Sequence, residues 1–231
     1  IDHTDIFNDL SVLPTYNSNA IETRIHHIPG LSEHFLYFND DLYLGRSCTS
    51  NDFFTKNGRP YVYVVKKNTF MSKRRRIELD KKKKTKNEFE AGLVTSRELV
   101  YSNYGRLCKA DLVHGIRVYH KGTMNKLESI FQSLFKETAG NSFRTSHDIL
   151  SFAILGYCLL VSKKGKPRLL PQFRSWRYII NNLLCIVSSF VFFYIGIEKN
   201  NYREKLAKVT KYKVFHFCIN DRPGISQSRY Q

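Results

Sequence analysis

Short apolar runs of strand character alternate along this chain with segments of helical period, and that alternation limits the fold more than any other feature. "HFLYF" (34–38) and "RPYVYVVK" (59–66) carry the aromatic and β-branched residues of strands. Near the other end, "FFYIGI" (192–197), "NYREKLAKVTK" (201–211) and "KVFHFCIND" (213–221) read as strand, helix and strand. Ahead of the first of these runs, "NSNAIETRIHHIPG" (17–30) predicts a short helix. Ile21, Ile25 and Ile28 share a face, Asn19 and Glu22 have capping-box spacing, and Pro29-Gly30 stops it. Phe89 to Val100 also reads as helical. In "NKLESIFQSLFKE", Leu127, Ile130, Phe131, Leu134 and Phe135 recur at i, i+3, i+4, i+7 and i+8, an amphipathic helix. "HDILSFAILGYCLLVS" reads as a buried helix starting near Ser146 or Asp148. Strands alternating with helices predict an α/β fold, a mainly parallel sheet with flanking helices.

A length of 231 residues suits one domain, or one with a small appendage, and a hydrophobic fraction of 42% excludes global disorder. Five cysteines without a C-x-x-C pair exclude a disulfide framework or a zinc-finger pattern and fit reduced cytosolic thiols. The net charge of +17 is uneven: Met71 to Lys86 holds nine Lys/Arg against Glu78 and Asp80. With so little apolar content, residues 71–88 read as a solvated basic insert or loop. The excess charge implies an acidic partner: a nucleic acid, an anionic membrane face, a polyanionic polymer or a phosphorylated substrate. Leu183 to Ile197 is apolar but short of the roughly 20 residues of a membrane span. A buried helix followed by a strand is expected there. The chain opens on Ile1-Asp2-His3, with no basic and apolar leader, which predicts a cytoplasmic protein.

Two of the predicted strands end alike. "FLYF" runs into Asn39-Asp40-Asp41, and "VFHFCI" runs into Asn220-Asp221. Ligands of open α/β sheets bind beyond the carboxyl ends of strands. Carboxylates there can hold a hard divalent cation or, more simply, start a turn. His114, after Leu112-Val113, reads as a partly buried histidine. Arg144, in "NSFRTSHD", either pairs with Asp148 or grips a phosphate. No P-loop, dinucleotide fingerprint or nucleophile elbow is present.

"LPTYNSNAIETRIHHIPGLSEHFLYFNDDLYLG" (13–45) closely resembles the second conserved region of the Stealth family, which contains bacterial capsular polysaccharide phosphotransferases and the animal N-acetylglucosamine-1-phosphotransferase alpha/beta subunits. His114, Phe131, Phe135, Thr138, Arg144 and Asp148 are similar in spacing to the third region, and "FHFCIND" resembles the fourth. The basic insert and the stretch from Lys163 to Phe190 lie outside the resemblance.

The resemblance implies a nucleotide-sugar transferase-like fold that moves a sugar 1-phosphate from a nucleotide sugar to a glycan or capsular polysaccharide hydroxyl. It implies Mg2+ or Mn2+ as cofactor. Asp40 and Asp41 become active-site carboxylates, His114 the group that handles the acceptor's proton, and Arg144 a clamp on the diphosphate. Asn17, Asn19, Glu22, Asn39 and Asp148 become substrate-binding residues, and Asn220 and Asp221 metal or phosphate ligands. The family's first region and the first half of its second are absent. The expectation is therefore a single Stealth-type catalytic domain over 1–231, amino-terminally incomplete, with an exposed sheet edge, and either active or inactive without the missing part. The competing expectation is a polyanion- or nucleic-acid-binding module built on 71–86. Its aromatics are not interleaved for base stacking, so no nucleic acid is expected. The same run is suited to peripheral contact with the anionic inner membrane.

Overall fold

The computed structural model describes residues 1–65, 72–84, 87–169, 172–173, 192–197 and 201–220. The chain forms two compact units. The first comprises Ile1–Phe35, Phe70–Ala110 and Val118–Lys166; the second comprises Leu36–Thr69, Asp111–Arg117 and Pro167–Gln231.

The first unit is helical. Its helices are α1 (Ser18–Glu22), α3 (Lys73–Lys84), α4 (Glu88–Tyr104), α5 (Lys121–Ile130), α6 (Gln132–Gly140) and α7 (Ser151–Val161). α7 is apolar on every side and buried from Ser151 to Leu159, as expected of a helix at the centre of a core. α4 packs on α7. Gly92 permits the close approach there, since a Cβ at that position would meet Leu150 Cγ at 2.9 Å. Asn87 caps α4 by accepting from the Glu90 amide, and Gly105 ends it at φ 65°.

Three details of this unit differ from the sequence reading. The helix at 17–30 is capped by Asn17, not Asn19: the Asn17 side chain accepts from the Asn19 amide. The amphipathic segment 125–137 is split, with Phe131 at φ −113° and ψ 35° between α5 and α6. The basic run is a helix, α3, rather than a solvated loop. Its anchor is a buried ion cluster. Asp80 Oδ1 accepts from Arg76 and from Arg97 of α4, both at 2.7 Å. Arg97 also donates to Tyr157 Oη of α7 at 2.9 Å and to the Ala110 carbonyl at 3.1 Å. The remaining basic side chains of α3 lie mostly outward, and Lys73, Arg74, Arg75, Lys81, Lys82 and Lys84 are exposed.

The strands are β1 (His34–Tyr37), β2 (Leu42–Leu44), β3 (Tyr61–Val64), β4 (Arg117–His120), β5 (Lys166–Leu169), β6 (Gln172–Phe173), β7 (Phe192–Gly196) and β8 (His216–Asn220). β1 pairs with β4, and β3 with β5, as two-stranded sheets. The second unit's main sheet has the order β2-β8-β7-β6. β6, β7 and β8 are parallel, joined between β7 and β8 by helix α8 (Tyr202–Tyr212), whose apolar face packs Val209 against Ile195 and Val214. β2 is antiparallel to β8. The fold is thus mixed α/β. The expected parallel sheet is confined to three strands, because a three-residue edge strand closes it from the opposite direction.

The short helix α2 (Ser50–Phe53) also lies in this unit and carries a capping box formed by Thr49 and Asp52. Among the described residues no helix is long and apolar enough to cross a membrane. The helix expected before β7 lies outside the described residues.

Candidate active site

The register of β2 on β8 decides where the acidic turn goes. Leu42 pairs with Cys218 and Leu44 with His216, so the residue before β2, Asp41, arrives beside the carboxyl end of β8. The Ile219 amide donates to the Asp41 carbonyl at 2.9 Å and fixes that placement. Successive side chains of a strand alternate faces, so His216, Cys218 and Asn220 line one face of β8.

Three groups of the second unit converge on Asp41 Oδ2. Asn220 Nδ2 donates at 2.9 Å and the Cys218 thiol at 3.1 Å. His114 Nε2 lies at 3.5 Å. The other oxygen, Asp41 Oδ1, is buried without a hydrogen-bond partner among the described residues, and so is Asn39 Oδ1 two residues earlier. An unpaired buried carboxylate oxygen costs free energy unless a donor or cation meets it. Asp40, between them, is exposed.

Burial pushes the Asp41 pKa up, but the hydrogen bond from Cys218, the charge of His114 and the hydrogen bond from Asn220 outweigh it. The net shift is downward, and Asp41 is a carboxylate at neutral pH. Burial, then the neighbouring Arg117 cation, push His114 below the ordinary histidine value, against the pull of Asp41. A neutral His114 that donates Nε2–H toward Asp41 carries its lone pair on Nδ1, the tautomer of a proton acceptor. The Cys218 thiol is pushed well up by burial and then by Asp41, so it stays a donor rather than a thiolate. His216, fully buried, is pushed down to about 3 by burial and then by His114. Its ring packs against the backbone at Gly115, where a Cβ would meet His216 Nε2 at 2.2 Å. Glycine after His114 is therefore a packing requirement.

Asp41, His114 and Asn220 lie in one cluster, with Asn39 and Asp40 on the same turn. The sequence reading does not single out Cys218, His216 or Gly115. The signal for the first two is the period-two spacing with Asn220. Asp221 lies outside the described residues.

The remaining candidates lie in the first unit. Asp148 is 2% exposed, and its carboxylate accepts from Asn17 Nδ2 and Asn141 Nδ2 at 2.7 Å, from Thr145 Oγ1 at 2.9 Å and amide at 3.2 Å, and from Asn19 Nδ2 at 3.3 Å. Asn17 also donates to the carbonyls of Asn141 and Phe143, both at 3.2 Å. This network ties the start of α1 to the loop between α6 and α7. Arg144, on that loop, is exposed and donates to Ser18 Oγ at 2.5 Å rather than to Asp148. Glu22 is buried, and its carbonyl accepts from Ser151 Oγ at 3.2 Å.

Comparison with known proteins gives a family and relatives. Residues 1–62 match the family model described as Stealth protein CR2, conserved region 2. The exopolysaccharide phosphotransferase CpsY of Mycobacterium tuberculosis is 34% identical over 165 residues, 71% of this chain and 30% of that protein. The exopolysaccharide phosphotransferase SCO6023 of Streptomyces coelicolor is 38% identical over 149 residues, 64% of this chain and 24% of that protein. The capsular polysaccharide phosphotransferase fcs1 of Haemophilus influenzae is 29% identical over an alignment that takes in 100% of this chain and 57% of that protein. The chain therefore spans from about a quarter to little more than half the length of these relatives.

Proposed function

The chain belongs to the Stealth family, and we propose that it acts in sugar-1-phosphate transfer for capsular or exopolysaccharide synthesis. The donor is a nucleotide sugar and the acceptor a glycan hydroxyl. The observation that carries this reading is the Asp41–His114 pair at the end of β8, beside two buried oxygens with no hydrogen-bond partner among the described residues. His114 Nδ1 accepts the proton of the acceptor hydroxyl, and Asp41 holds the ring and stabilises the imidazolium that forms. The acceptor oxygen bonds to the phosphorus next to the sugar. The bridging bond between the two phosphates breaks, and nucleoside monophosphate leaves with that bond's electron pair. The product is a phosphodiester between sugar and glycan.

A divalent cation, Mg2+ or Mn2+, is part of the proposal. Asn39 Oδ1 and Asp41 Oδ1 are hard oxygen donors suited to such an ion, with Asn220 adjacent. A protonated Cys218 does not suit it. When bound, the ion would offset the negative charge of the diphosphate. Arg144, with its exposed guanidinium, is kept as a proposed phosphate contact. Asp148, Asn17 and Asn19 direct their polar atoms at one another, which favours a supporting role. The exposed cations of α3 are proposed to hold the protein at an anionic membrane surface.

The test is product analysis with a nucleotide sugar labelled in the phosphate next to the sugar. Label in the glycan with release of nucleoside monophosphate is expected. Release of nucleoside diphosphate, with unlabelled glycan, would mean glycosyl transfer and would overturn the proposal.

A further inference from the structure

Within the first unit, "RIHH" (24–27) and Glu128 of α5 form a second cluster that the proposed reaction does not use. His26 and His27 lie on a single 3-10 turn, yet both turn Nε2 onto the same atom. Each ring nitrogen is 2.8 Å from Glu128 Oε2. The three atoms lie within 4.8 Å of one another. Arg24 occupies the other carboxylate oxygen, Oε1, and also donates to the Phe135 carbonyl at 3.1 Å. Oε2 is thereby left facing the two rings.

The tautomers of His27 do not satisfy this arrangement. Its Nδ1 is 3.3 Å from the Ile6 carbonyl oxygen. A neutral ring protonated at Nδ1 sets a bare Nε2 lone pair against Glu128. A ring protonated at Nε2 sets the Nδ1 lone pair against the carbonyl. A positive centre between the two Nε2 atoms and Oε2 removes the conflict.

The geometry points to a transition-metal site of the zinc class, with His26 Nε2, His27 Nε2 and Glu128 Oε2 as its three protein ligands. Two imidazoles and a carboxylate are a zinc ligand set, and they leave a fourth position for water. The contacts around His27 and Glu128 fit as well. Ligating histidines donate their other N–H to a carbonyl or carboxylate, a place the Ile6 carbonyl can fill for His27 Nδ1, and ligating carboxylates are themselves hydrogen-bonded, as Glu128 is by Arg24. His26 Nδ1 is buried with no hydrogen-bond partner among the described residues. Bonds of about 2.0–2.2 Å put tetrahedral ligand atoms roughly 3.3 Å apart, so small rotations from the present contacts admit the ion. His26 is fully buried, so a metal held there is shielded from bulk water on that side. The metal would pin the 3-10 turn to α5, apart from the hard-cation chemistry proposed at Asp41.

The test is titration of the metal-free Asp41→Asn protein with Zn2+ alone, followed by calorimetry and thermal melting. The Asp41→Asn background takes one ligand from the second group of possible ligands among the described residues, Asp41, His114 and Cys218. One equivalent bound with a rise in Tm is expected. Changes outside the ligand set alone cost about 10- to 100-fold in affinity, so His27→Ala is expected to weaken binding by more than about 100-fold. Co2+ is expected to give a tetrahedral visible spectrum without a sulfur charge-transfer band. X-ray absorption of the zinc-loaded Asp41→Asn protein, which needs no change in the proposed ligands, is expected to show two imidazoles and no sulfur. Absence of Zn2+ binding, binding unchanged in a folded His27→Ala protein, or a sulfur ligand would each overturn the site.

Discussion

Replacing Asp148 tests whether its network supports the fold. In Asp148→Ala, the donors of Asn17, Asn19, Asn141 and Thr145 lose the carboxylate they share. A hydrogen bond to a charged group contributes about 1.5–3 kcal/mol, but these bonds are not additive, because several donors have other acceptors. Asn17 Nδ2 keeps two carbonyls at 3.2 Å, and Thr145 is partly solvated. Asn141 Nδ2 and Asn19 Nδ2 are left to find water at a position only 2% exposed. The net expectation is a loss of about 3–5 kcal/mol, the range for breaking a buried charged network. Asp148→Asn keeps the volume but turns an amide N–H toward other amide donors, and is expected to cost about 2 kcal/mol. The pH dependence follows from the same contacts. Burial raises the Asp148 pKa, but the hydrogen bonds from Asn141, Asn17 and Thr145 lower it further, to a net value below the ordinary one. The stability it contributes is therefore present above the unfolded-state pKa near 3.8 and lost as pH falls through the lower folded-state value. The assay is urea unfolding by circular dichroism at pH 7. With m of about 2–3 kcal/mol/M, the Ala variant moves the midpoint by roughly 1–2.5 M. A loss below about 1 kcal/mol, with substrate affinity abolished, would make Asp148 a substrate ligand and not a support of the fold.

Three further outcomes are expected. Gly115→Ala forces a methyl into the His216 ring, so it is expected to cost about 1–3 kcal/mol in thermal unfolding and to lower transfer by displacing His114 next to it. His114 must be neutral to accept a proton, and its pKa lies below 6.5; kcat/KM is expected to fall only at pH below about 6.5 and to be flat from 7 to 8 in a pH–rate profile. Binding to vesicles rich in anionic lipid is expected to weaken with salt and to drop by about tenfold or more in Arg74→Glu/Arg75→Glu, measured by co-sedimentation, since each basic residue near such a surface is worth about 1 kcal/mol.

The sequence carries the elements whose apolar residues repeat locally. β1, β3, α4, α7 and the β7–α8–β8 unit are readable because strand or helix period alone marks the face they bury. α3 is not readable that way, because Ile77 and Leu79 are the only apolar residues in the run Lys73–Lys84. Its order comes from Arg76 and Asp80 meeting Arg97, and no local pattern reports a partner from another helix. The break at Phe131 is hidden for the opposite reason: the apolar spacing continues through it. In the site, Asn39-Asp40-Asp41 is visible as a costly ending to an apolar run. Its neighbours are set by the antiparallel register of a strand only three residues long, too short to leave a pattern. Cys218 reads as an ordinary core residue until that register puts its thiol on Asp41.

Asp41 and His114 are proposed to act together in phosphoryl transfer. The measurement that tests this most directly is the rate of transfer of labelled sugar 1-phosphate to glycan by the protein and by its Asp41→Asn, His114→Ala and double variants, with thermal melting of each as a folding control. General-base catalysis contributes about 10²- to 10⁴-fold, so each single variant is expected to lose that much in kcat while still folded, and the double variant little more than either. Folded variants that keep full activity, or losses that multiply as if the two residues were independent, would contradict it.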